Sequence, residues 1–89
     1  MALTTEQLTA LRTTAVGDSG NRLKVAIDLA GETQSSVARA LGYLNASTVS
    51  DHVRGRSADM SLSNAQKYAR HFGCQVDDLF PILDAERVA

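Results

Sequence analysis

Glycine divides this chain into runs too short for anything but small secondary elements. Gly17, Gly20, Gly31, Gly42, Gly55 and Gly73 fall mostly between apolar segments. Within those segments the apolar residues recur three and four positions apart, which traces one face of a helix. Leu8, Leu11 and Ala15 form the first stripe, Leu23, Ile27 and Ala30 the second, and Val37, Ala38 and Leu41 the third. Val49 and Val53 follow, then Leu62, Ala65, Ala69 and Phe72, and a last short helix begins with Val76, Leu79 and Phe80 ahead of Pro81. No segment sustains the two-residue alternation of a half-buried strand, and no internal repeat or low-complexity tract occurs. The expectation is an all-α fold, a compact bundle of five to six short helices.

Capping residues place the helix ends. Thr4 is followed three positions later by Gln7, a capping-box pattern. A second helix is predicted over 21–30, a third over 34–41 behind Thr33, and a fourth over 46–54 behind Asn45. Ser61 or Ser63 caps the fifth. Apolar residues are 44% of the chain but aromatics only 4%, so Leu, Val, Ile and Ala must fill the core. That balance again favours helices over a β-sandwich.

The 89 residues read as one domain. No apolar stretch approaches the roughly 18 residues of a membrane-spanning helix. The first residues, MALTTEQLTA, do not have the basic-then-apolar pattern of a secretory signal. Cys74 is a single cysteine with no internal disulfide partner, as expected of a protein in a reducing cytoplasm. The net charge of −1 is uneven along the chain. Residues 21–76 hold seven basic against four acidic side chains, a net of +3, whereas residues 77–89 are net −3. A mildly basic middle permits contact with a polyanion without demanding it.

The informative stretch runs from Thr33 to Gly55. Two short helical patterns meet across a turn containing Gly42, with Ala38 small where the helices must approach and Val49 pointing the second helix inward. The outer face of 46–54 is thereby left to solvent, and a helix held out in this way is of a size to enter a DNA major groove. With Gly31-Glu-Thr-Gln34, Val37-Ala-Arg-Ala-Leu-Gly42, Ser47-Thr-Val-Ser50, Gly55, Lys67-Tyr-Ala69 and Phe72-Gly-Cys-Gln-Val-Asp-Asp-Leu-Phe80, the chain resembles the lambda-repressor-like (XRE/Cro-type) helix-turn-helix family over residues 21–80. It departs in two places. The interval from Gly42 to Gly55 is one position longer than the family usually has, so the turn holds an extra residue, and residues 1–18 form an additional N-terminal helical segment.

What the resemblance implies is a sequence-specific transcriptional regulator, a repressor acting as a homodimer on double-stranded DNA. By position, Ala46, Ser47, Ser50 and Asp51 are the expected base readers, joined by Asn45 or Thr48 if the extra residue rotates the helix. Asn can pair adenine bidentately, Ser can donate or accept, and Asp can accept from cytosine. Gln34, Arg54 and Arg56, with Lys24 and Arg39, are the expected phosphate contacts, assisted by N–H groups at helix starts. Residues 19–80 would then be the DNA-binding domain and 81–89 a tail available for dimer contact.

Blander readings accompany each feature. Serines are common on any exposed helix, basic residues on any solvated face, and Asp51 beside a phosphate would repel it. Leu3, Leu8 and Leu11 at one end, and Ile82, Leu83 and Val88 at the other, either cap the core or form a dimer surface. His52, His71 and Cys74 have no metal-ligand spacing, and no nucleophile–base set or phosphate-cradling loop is evident. An enzyme, a metal site and a cofactor are therefore not expected. No second domain for a ligand or protease is evident, so control is expected through concentration or a regulatory protein partner, as in phage switch proteins and antitoxins of similar fold. The alternative from another class is a protein-interaction module with little DNA binding of its own, which the net charge of −1 favours.

Overall fold

A computed structural model describes residues 2–16, 20–55 and 61–81. Among them are six helices and no strand: α1 Thr5–Thr13, α2 Leu23–Leu29, α3 Gln34–Leu41, α4 Ala46–Val53, α5 Leu62–Phe72 and α6 Val76–Leu79. The capping box before α1 is formed, with Gln7 N donating to Thr4 Oγ1 and Thr4 N donating to Gln7 Oε1. α1 stops at Thr13, short of Ala15, which lies exposed beyond it. The hydroxyls of Thr13 and Thr14 both donate to Ala10 O, at 3.0 and 2.8 Å, competing with the helical ladder just where it ends.

α2 is also shorter than the predicted 21–30, because Asn21 and Arg22 are anchors. Asn21 is buried, accepts from Leu23 N at 3.0 Å and donates through Nδ2 to His52 O at 2.9 Å. Arg22 donates from its backbone to Leu79 O and from its side chain to Thr14 O and Asp78 O. α3 has the predicted bounds and α4 ends one residue early, with Arg54 as its C-cap. Ser61, not Ser63, caps α5 by accepting from Asn64 N.

Leu11, Leu23, Val37, Val49, Tyr68, Phe72 and Leu79 are the largest fully buried side chains. The buried face of α5 is Ala65, Tyr68, Ala69 and Phe72, so Tyr68 takes the central place expected for smaller aliphatics, and Leu62 is only half-buried. Leu41, expected inside, is half-buried as well. The N-terminal leucines belong to the core. Leu3 and Leu11 are buried, Leu8 packs against the same cluster, and Leu3 N donates to Phe72 O at 2.8 Å. They are therefore not a free dimer surface; Ile82, Leu83 and Val88 lie outside the described residues.

One polar tie holds α1 to α6. Asp78, buried, accepts from Arg12 Nε at 2.9 Å and Arg12 Nη2 at 3.2 Å, and its second oxygen also accepts from Gln75 N. Burial raises the Asp78 pKa, but the Arg12 hydrogen bond, the Gln75 N–H and the charges of Arg12 and Arg22 outweigh it and hold the carboxyl below its ordinary value. At the other end of α3, Gly42 adopts a left-handed conformation with φ +80°, and an added Cβ there would meet nothing within 4 Å. At Gly73 (φ +68°) a Cβ would lie 3.0 Å from Ala2 Cβ.

Two outcomes follow for stability. Gly42→Ala should cost about 1 kcal/mol, the left-handed strain alone. Gly73→Ala should cost more, because the N-terminal strap must also shift; urea midpoints would rank the two. Since the Asp78 pKa is lowered on folding, its stabilisation is complete above the unfolded carboxyl value and lost as pH falls through the folded one. The melting-temperature gap between the wild type and Asp78→Asn should be widest near neutrality and shrink below about pH 4; a gap independent of pH would contradict this.

Candidate nucleic-acid interface

α3 and α4 form a rigid corner. Tyr43 N donates to Ala38 O at 2.9 Å after the left-handed Gly42, which closes the end of α3. Asn45 then takes an extended conformation and accepts from Ser47 N at 3.0 Å, which starts α4. Val49 faces inward, fully buried. Asn45 is the cap and precedes the helix. Its carbonyl oxygen is engaged in the cap, while its amide N–H groups are not needed for it.

The inner face of α4 is held by Val49, His52 and Val53, all buried. His52 Nδ1 shares a hydrogen bond with the Tyr68 hydroxyl, and its ring meets Tyr43 and Tyr68 edge-on at 5.7 and 5.5 Å between centroids. Burial pushes the His52 pKa down, against the opposing charge of Asp51, and pushes both tyrosines up. Tyr43 reaches on to Asn64, its hydroxyl 3.1 Å from Oδ1, and Lys67 Nζ lies 5.5 Å from the centre of the Tyr43 ring. The signal for this aromatic bracket was in the sequence: Tyr68 falls at the helical position between Ala65 and Phe72.

With the inner face fixed, the outer face is determined. Ser47, Asp51 and Arg54 are exposed and follow one another at four- and three-residue steps, a single stripe of the helix. Ala46, Thr48 and Ser50 flank it, half-buried. Of the basic residues, Arg54 at the end of α4 and Arg39 in the last turn of α3 are exposed and make no ion pair among the described residues. Lys24 sits on α2 and pairs with Asp28 at 3.2 Å, both well exposed. Gln34 is the half-buried first residue of α3, and Arg56 lies outside the described residues.

A shallow cleft of about 320 Å³ runs between α3 and the turn, lined by Ser35, Ala38, Arg39, Tyr43, Leu44, Asn45 and Ala46. Leu44, read from the sequence only as part of the connection, is 99% exposed. Its exposure follows from the geometry of the turn, and no local sequence signal marks it. The surface offers hydroxyls, guanidinium groups, one carboxylate and one large apolar side chain, which suits hydrogen bonding and ionic contact. His71 is engaged with Glu32 at 2.7 Å, and burial, then the charge of Asp78, pushes the Cys74 thiol up to about 11. Among the described residues no three metal-ligating side chains converge, and no helix is long and apolar enough to cross a membrane.

The family model of the Cro/C1-type HTH DNA-binding domain matches residues 22–84, beginning at the anchor before α2 and including the whole α3–turn–α4 corner. No curated protein and no solved structure matches the chain significantly. The match spans most of the 89 residues and agrees with the all-helical architecture and the corner just described. This chain belongs to the Cro/C1-type helix-turn-helix family of DNA-binding domains.

Proposed function

We propose that the protein is a sequence-specific regulator of transcription, a cytoplasmic repressor that binds a pseudo-palindromic double-stranded site as a homodimer with α4 in the major groove. The observation that carries this reading is the stripe Ser47–Asp51–Arg54, exposed on a helix whose opposite face is locked into the core. Ser47 and Ser50 supply hydroxyls to base edges, Ala46 and Thr48 line the same edge, Asp51 accepts from cytosine N4, and the free amide of Asn45 donates to an acceptor. Arg54, Arg39 and Arg56 take phosphates, with Gln34 at the first turn of α3 bracing the backbone. Lys24 contributes less, because Asp28 already neutralises part of its charge.

The small readers and the net charge of −1 argue that one copy binds weakly. Two copies reading two half-sites multiply specificity and affinity. That Leu3 and Leu11 lie in the core supports a dimer contact in residues 81–89.

Selection of bound duplexes from a random pool, followed by salt titration of the winner, tests the reading. Enrichment of a two-fold symmetric sequence is expected. Arg54→Ala should weaken selected and random duplexes alike and lower the salt slope by about 1, whereas Ser47→Ala should change which bases are preferred. No retention of any duplex at micromolar protein, with a stoichiometric protein partner bound instead, would establish the protein-interaction reading that the acidic balance favours.

A further inference from the structure

Leu44 is the one large apolar side chain left exposed among the described residues, at 99% of its full accessibility. Exposed leucines are ordinary on protein surfaces, but the location of this one is not neutral. It stands between the left-handed Gly42 and the capping Asn45, at the edge of the cleft that Arg39, Asn45 and Ala46 also line. It therefore leads α4 into whatever α4 meets. Its neighbours on that edge, Ala46 and Ser47, are short, so Leu44 is the side chain with the longest apolar reach there. Neither the cap hydrogen bond of Asn45 nor the closure of α3 by Tyr43 uses the Leu44 side chain, so nothing in the fold requires it to be apolar.

The major-groove edges of DNA carry one methyl group, the C5-methyl of thymine, beside the hydrogen-bond donors and acceptors that polar side chains read. We propose that Leu44 is a specificity-determining residue that packs on a thymine methyl at one position of each half-site, which rests on the DNA-binding reading above. Burying one methyl against an apolar side chain is worth about fourfold in affinity, from about 0.8 kcal/mol per buried carbon. Leu44 thereby supplies discrimination that the small hydroxyl readers do not.

The test replaces thymines of the selected duplex one at a time by deoxyuridine, which removes the methyl and leaves every hydrogen-bonding edge intact. Affinities are measured by fluorescence anisotropy for the wild type and for Leu44→Ala, an exposed substitution that should leave the melting temperature unchanged. One thymine per half-site should show a loss of about fourfold for the wild type and almost none for the variant. Restoring the methyl as 5-methylcytosine, paired with guanine at that position, should favour the wild type over unmodified cytosine and leave the variant indifferent. Equal losses for both proteins at every position would overturn the assignment while leaving DNA binding intact. A change in oligomeric state for Leu44→Ala with no methyl dependence would assign the residue to a protein contact instead. Failure to retain any duplex would overturn both this inference and the function on which it rests.

Discussion

The seating of Val49, His52 and Val53 in the core decides what α4 shows to solvent. A helix of eight residues has little stability of its own, and its orientation is set by the face it buries. Here that face is held on two sides. His52 is bonded to Tyr68 of α5 through its ring and to Asn21, ahead of α2, through its carbonyl. The histidine is therefore part of the frame, its pKa pushed down by burial, and the residues one step around the helix are the ones exposed to a ligand.

Much of this was legible in the sequence. The three-and-four spacing of Val37, Ala38 and Val49, the cap signals at Thr4, Thr33 and Asn45, and the glycine at 42 are local features, and each sits in the structure as its chemistry requires. What was not legible depends on groups distant in the chain. Nothing near Asn21 announces that its amide will bond the carbonyl of a residue 31 positions away, so α2 was drawn too long. The early end of α1 turns on threonine hydroxyls that bond backward to Ala10. The N-terminal leucines read equally as core caps or as a dimer surface, because the strap across Phe72 and Gly73 is fixed by a backbone hydrogen bond, which has no sequence signature. For the site, the rotation of α4 was ambiguous by a residue until the inward set was seen, whereas the exposure of Leu44 is a property of the turn in three dimensions.

Electrostatics shape the protein in two separate ways. Asp78 is held by Arg12 through its carboxylate and by Arg22 through its backbone carbonyl, a tie that pairs an acid with a base and leaves the net charge of −1 unchanged. Near the corner, Arg39 and Arg54 are exposed and make no ion pair among the described residues, so they shape the local field a ligand would meet. Even so, the surface is not that of a strongly cationic binder. Under the proposed function, specific affinity rests on matched contacts and on a second copy more than on bulk attraction to phosphate.

The α3–turn–α4 corner is the surface proposed to meet DNA. Titrating isotopically labelled protein with the selected duplex and following each backbone amide by NMR tests it most directly. The largest shift changes should fall on residues 44–54 with Gln34 and Arg39, and the amides of α1 and α6 should move little. Changes centred on α1 and α6, with residues 44–54 unmoved, would contradict it.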